Sequence, residues 1–237
     1  MHRRAIMGLY ALSSECRTLA QKARTEKDDS AFKLWKDRLS DLGLRVANEL
    51  VEMGELETAQ RHLDTLSSAT TAGDTSATDK MCIRKTLLWL KIGDTQAAKN
   101  CLATSSTADE STNLQKQVLE ALVHFSASDF SSAVSALQAL AEKYPSNPLI
   151  KHNLAIAYLY NNNVVLASET LEALVTEDEV LFPTLLFNLS TVYELRTERA
   201  RQRKLELVDK AVEVGSNNSS EMQVGGFDKG VGEFKLA

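Results

Sequence analysis

The chain has 237 residues, of which 43% are apolar, 25% charged and 6% aromatic, and its net charge is -5. That length allows a sizeable core, the composition is ordinary for a globular chain, and the acidic balance argues against a polyanion binder unless positive charge is gathered on one face. Scarce glycine (10) and proline (3) favour helices, and no run approaches the ~18 apolar residues of a membrane-spanning helix.

The basic start "MHRRAIMGLYAL" runs directly into an amphipathic pattern, so no secretory signal is read there. Leu9, Leu12, Cys16, Leu19 and Ala23 recur at three and four residues and predict a helix over 4–26. "KDDS" (27–30) ends it. A second helix over 31–53 carries Phe32, Trp35, Leu39, Leu42, Val46, Leu50 and Met53, and a third covers 54–66. The small, polar stretch 67–79 reads as a loop, because it holds too little apolar area to offset ordering. Helices then resume near Asp79 and over 93–105, followed by 114–126 with 129–143, 149–161 with 164–177, and 181–196 with 201–214. In the last pair Leu185, Leu189 and Val192 form an inward stripe. A lengthened connection through the charged segment then leads to a closing stripe of Leu205, Val208 and Val212. The glycine-rich tail 215–237 reads as flexible.

Four turns share a pattern: "GELETAQRHL", "GDTQAAKNCL", "SDFSSAVSAL" and "NNVVLASETL", starting at Gly54, Gly93, Ser128 and Asn162. Five residues on stands Ala59, Ala98, Ala133 or Ala167; nine on stands Leu63, Leu102, Leu137 or Leu171. The starts are 39, 35 and 34 residues apart, in the solenoid range. A residue suited to a tight turn reverses the chain, a small side chain admits the close approach of two helices, and the leucine one turn later fills the groove towards the next hairpin. A single hairpin cannot bury its apolar face, but stacked ones can. The fold expected is therefore all-α, an α–α solenoid of helical hairpins over residues 1–214.

The stretch "NLAIAYLYNNNVVLASETLEAL" (153–174) resembles a tetratricopeptide repeat, with Leu154, Ala155, Tyr158, Asn162, Ala167 and Leu171 at the motif positions. Leu174 departs from the small residue usual there. Leu189 and Tyr193 take the leucine and aromatic positions of the following unit. From "NPLIKHNLAIAYLY" through "FPTLLFNLSTVYELRTERARQRKLELVDKAVE" the chain is similar to the C-terminal repeat region of the family of subunit 12 of the transport protein particle (TRAPP) complex. The resemblance implies a non-catalytic scaffold in a vesicle-tethering complex acting in ER-to-Golgi transport and autophagy. It also implies protein subunits as partners and a cytoplasmic location, with peripheral attachment to ER–Golgi or Golgi membranes through the complex alone. Members carry a long region before the repeats that this sequence lacks, so a fragment, a truncated gene product or a short variant is expected. The alternative is a tetratricopeptide co-chaperone or peptide-binding adaptor unrelated to tethering.

Catalytic and cofactor chemistry finds no foothold. His2, His62, His124 and His152 have no cysteine or histidine at metal-ligand spacing, and no phosphate-binding or nucleophile motif is present, so no cofactor and no metal are expected. His62 and His124 read as partly buried helix residues, and "TEDE" (176–179) as a solvated turn. Candidate protein-binding residues are Lys151, Asn153, Asn188 and Glu194 on first helices of hairpins, and Arg196, Arg199 and Arg203 in the basic segment. Within that segment Glu198 with Arg201 and Arg203 with Glu206 are spaced to pair. It lacks the broad basic face and interleaved aromatics of a nucleic-acid site.

Overall fold

The computed structural model describes residues 2–69, 75–104, 110–178, 180–196 and 198–217. Their elements are all α-helices: α1 (His2–Thr25), α2 (Asp29–Glu52), α3 (Leu56–Ala69), α4 (Thr75–Ile92), α5 (Thr95–Ala103), α6 (Glu110–Ser126), α7 (Phe130–Lys143), α8 (Pro148–Tyr160), α9 (Val164–Thr176), α10 (Pro183–Arg196) and α11 (Ala200–Asn217). The loop expected over 67–79 is narrower, since α3 runs to Ala69 and α4 begins at Thr75. Asp79, assigned to that loop by composition, is buried. Of the expected tail, 215–217 extend α11 and 218–237 lie outside the described residues.

One turn geometry recurs five times. Lys27, Gly54, Gly93, Ser128 and Asn162 all have positive φ, between 55° and 94°. The next N–H reaches back five residues to a helical carbonyl: Asp28 to Ala23, Glu55 to Leu50, Asp94 to Trp89, Asp129 to His124 and Asn163 to Tyr158, at 2.8–3.0 Å. The left-handed residue itself bonds three residues back in every case. These two bonds satisfy the carbonyls that a helix end leaves open. At four of the turns the following acid or amide then caps the next helix. Asp28, Asp94, Asp129 and Asn163 accept from the N–H of Ala31, Ala97, Ser132 and Leu166. The chain therefore leaves one helix and enters the next within two or three residues.

So short a reversal forces the helices together. Ala59, Ala98, Ala133 and Ala167 are each 0% exposed, and Leu63, Leu102, Leu137 and Leu171 are buried four residues on. The chain divides into two compact units, Met1–Asn113 and Leu114–Ala237. In the first, Ile6, Val46, Ala47, Leu50, Ala59, Leu63, Met81 and Leu88 join α1 to α4 in one core, and α5 packs on α4. In the second, Ala121, Leu137, Leu154 and Ala157 join α6, α7 and α8. Ala155, Leu171, Leu174, Val175, Leu185, Leu189, Val192, Tyr193 and Leu207 join α8 to α11. Phe125, Phe130 and Tyr160 meet as an aromatic trio, with centroids 4.9–5.6 Å apart, beside the turn at Ser128.

Two apolar stripes differ from expectation. On α1 the buried residues are Ile6, Ser13, Ala20 and Ala23, while Leu12 and Leu19 are exposed. Small residues face α2 because the two long helices lie side by side, and the leucines turn outward. On α11, Leu205, Val208 and Val212 are 60%, 58% and 66% exposed, and Leu207 is buried instead. Ala200 and Leu207 pack on the cluster that also holds Leu174. They stand seven residues apart, as Ala167 and Leu174 do. The connection from Tyr193 to this small residue takes seven residues, against nine from Tyr158 to Ala167, so it is shortened rather than lengthened.

Ala167→Leu is expected to lower the unfolding free energy by about 1–3 kcal/mol, through overpacking at the close approach; an unchanged urea midpoint would contradict the packing. Gly93→Ala is expected to cost about 1 kcal/mol. Nothing lies within 4 Å of the added Cβ, so the whole loss is backbone strain, and denaturant titration reads it directly.

Candidate protein-interaction edge

The polar residues on first helices are held by internal partners. Lys151 Nζ lies 2.6 Å from Asp178 Oδ2, tying α8 to the end of α9; the "TEDE" turn is thus not merely solvated. Asn188 on α10 donates through Nδ2 to Nε2 of His152 on α8, at 3.0 Å. His152 is buried, its ring meets Phe182 edge-on at 5.2 Å, and Asn153 also bonds it. Burial holds the His152 pKa below the usual histidine value, against the opposing Asn153 bond. Within α9, Ser168 donates to Glu172 at 3.0 Å. The Tyr193 hydroxyl bonds Glu172 too, and its pKa is pushed up to about 12 by burial first and by that carboxylate second. Elsewhere His62 is half-buried against the Gly43 carbonyl at 3.0 Å. His124 proves exposed rather than partly buried, because it reaches over the turn to the capping Asp129 at 3.2 Å.

The basic segment is different. Glu194 on α10 pairs with Lys204 on α11, Arg203 pairs with Glu206 at 3.7 Å, and Arg199 is also engaged. The expected Glu198–Arg201 pair does not form among the described residues, and neither Arg196 nor Arg201 has a polar partner among them. Arg201 lines a groove of about 360 Å³ between α10 and α11, together with Glu194, Ala200, Lys204, Leu205 and Val208. Leu205 and Val208 of the outward stripe line its wall, Val212 continues the stripe one turn on, and Leu195 is exposed at the end of α10. An apolar ridge beside the Arg201 guanidinium suits a docked protein segment better than a small molecule. Of the seven docking candidates, Arg196 alone is free of a polar partner among the described residues. Sequence reasoning missed Arg201 as a candidate and misplaced the ridge; the only signal for the ridge was a helical spacing that fitted an inward face equally well.

No group of three or more His, Cys, Asp or Glu side chains among the described residues can hold a metal ion. No helix among them is long and apolar enough to cross a membrane. The fold is that of a tetratricopeptide repeat protein from Parabacteroides merdae, which superposes with a TM-score of 0.57 over 97% of this chain and 95% of its own, at 13% identity. The chain is similar to trafficking protein particle complex subunit 12. The human protein is 28% identical over 127 residues and the mouse protein 27%, in each case over 51% of this chain. The match spans 17% of the human protein's length and 16% of the mouse protein's. No family model matches. The chain thus has a tetratricopeptide-type helical-repeat fold and is similar over about half its length to that subunit.

His152 makes stability pH-dependent. Its native pKa lies below 6.5, its ordinary value, so the unfolded chain takes up a proton that the folded chain resists. Stability is full above that value and falls as pH drops through it. Protonating Nε2 would also set a donor against the Asn188 amide. Urea midpoints are expected to fall between pH 7.5 and 5.5, and the fall is expected to shrink in His152→Gln.

Proposed function

We propose that this chain is a non-catalytic scaffold subunit of a TRAPP-like vesicle-tethering complex acting in ER-to-Golgi transport and autophagy. Its repeat region spans residues 1–214. It reaches ER–Golgi or Golgi membranes from the cytoplasm, peripherally, through the complex. The observation that carries this reading is the similarity to subunit 12, joined to a fold built for protein contact. The α10–α11 edge docks an amphipathic helical segment of a neighbouring subunit. That segment lays its apolar face on Leu205, Val208 and Val212, and its acidic residues meet Arg196 and Arg201. The charge complementarity supports this occupant, since these two guanidinium groups have no polar partner among the described residues. The peptide-clamp alternative is weakened because Lys151 and Asn153, its candidate carboxylate ligands, are taken up by Asp178 and His152.

The test is a pull-down of the tagged chain from cells, read by mass spectrometry. Core subunits of the tethering complex are expected, and Arg201→Glu with Val208→Asp is expected to cut their recovery tenfold or more at an unchanged melting temperature. Recovery of chaperones without the core would overturn the tethering role. Undiminished recovery by a folded double variant would move the docking surface away from α11.

A further inference from the structure

Cys82 on α4 and Cys101 on α5 stand on facing sides of one hairpin, 19 residues apart in sequence, with their sulfur atoms 3.6 Å apart. The contact is reciprocal. The Cys82 thiol is directed at the Cys101 carbonyl, and the Cys101 thiol at the Cys82 carbonyl at 3.5 Å. Both are free thiols; Cys82 is buried, and Cys101 is partly exposed. The groups facing them are the hydroxyls of Thr86 and Thr104 and, from α4 and α3, Lys85 and Asp64, which form an ion pair at 2.8 Å. The third cysteine, Cys16, lies on α1 and is partly exposed.

The two thiols are unequal. Contact with the Cys82 thiol draws the Cys101 pKa below the usual thiol value, with help from Thr86 and Lys85 and against burial and Asp64. Cys82 is pushed up, by the same contact and by its burial. A thiolate is the nucleophile in sulfur chemistry, so the solvent-reachable member of the pair is also the activated one. The buried member sits where a resolving thiol is needed, and forming a bond between them requires an approach of about 1.5 Å beyond the present contact.

We propose that Cys101 and Cys82 form a peroxide-responsive thiol pair, in which Cys101 is the attacking sulfur and Cys82 the resolving one, and that oxidation staples α4 to α5. The oxidant is hydrogen peroxide. The Cys101 thiolate attacks one peroxide oxygen, the O–O bond breaks, and the leaving hydroxide takes from solvent the proton that Cys101 had released, giving water and a sulfenic acid at Cys101. The Cys82 sulfur then attacks the sulfenic sulfur. The S–S bond forms, the S–O bond breaks, and the departing hydroxide takes the Cys82 proton as a second water. Two electrons pass from the thiol pair to one peroxide, and a dithiol reductant reverses the change.

The full chain would be treated with stoichiometric hydrogen peroxide at pH 7, alkylated, and mapped by non-reducing peptide mass spectrometry. The expected product is a monomer 2 Da lighter in which Cys82 is joined to Cys101 and Cys16 remains alkylatable, and dithiothreitol restores all three thiols. Oxidation at Cys101 is expected to outpace that at Cys16 at least tenfold. In Cys82→Ser the reaction is expected to stop at a dimedone-reactive Cys101. Cys16 oxidising as fast as Cys101, a bridge to Cys16 or to a second molecule, or Cys82 and Cys101 both still alkylatable in the wild-type chain would each overturn the proposal. The wild-type map decides the matter even if the serine variant does not fold.

Discussion

The close approach of two helices at a single alanine is the constraint on which the rest of this structure hangs. A left-handed residue, followed at most turns by a cap, reverses the chain within two or three positions, which leaves little slack between one helix and the next. At Ala59, Ala98, Ala133 and Ala167 a methyl group fills the contact, and each is wholly shielded from water. With that point pinned, the leucine one turn further has only one place to go, against the neighbouring helices. Interiors are packed as tightly as crystals of small organic molecules, so pinning one residue per hairpin sets the rotation of a whole second helix.

In the last hairpin the constraint is loosened. Lys204 stands where the leucine of the other repeats would be, and it turns its charge to Glu194 instead of filling the core. Ala200 is only partly buried, and Leu207 is the one side chain of α11 buried in the cluster among the described residues. The stripe on the other side of α11 has no described helix to meet. An apolar ridge of this kind, rimmed by charge, marks an interaction surface more often than a packing fault. The groove beneath it is shallow in chemistry, with one carboxylate, two basic side chains and no convergent acid–base pair.

Polar side chains inside the second unit serve as ties between helices. Lys151 with Asp178, His152 with Asn188, and Glu172 with Tyr193 each join helices that the apolar cluster already holds together, and Ser168 steadies Glu172 from the same helix. Half-exposed ion pairs add only about 0–1 kcal/mol. Their effect is on register, because a buried amide or imidazole without its partner costs more than the contact gains. The same ties remove Lys151, Asn153 and Asn188 from the pool of groups free to grip a partner.

The features that repeat locally were legible in the sequence. Gly54, Gly93, Ser128 and Asn162, with an alanine five residues on and a leucine nine on, marked the turns, the close approaches and the all-helical repeat fold, since each is decided within a dozen residues of chain. The capping role of Asp94, Asp129 and Asn163 is equally local, carried by the side chain just after each turn. The phase of α1 and of α11 was another matter. Leu9, Cys16 and Ala23 fit the stripe with Leu12 and Leu19 as well as they fit the one with Ser13 and Ala20, and Leu205, Val208 and Val212 have a faultless helical spacing on the wrong face. Periodicity says that a helix has a side; what it packs against decides which side is used. Partnership obeyed the same rule, for residue type announced that Lys151, Asn188 and Glu194 were polar, and only the tertiary structure supplied Asp178, His152 and Lys204 to meet them. The pairing of Cys82 with Cys101 across 19 residues likewise came from the hairpin closing on itself, a distance that no linear pattern records.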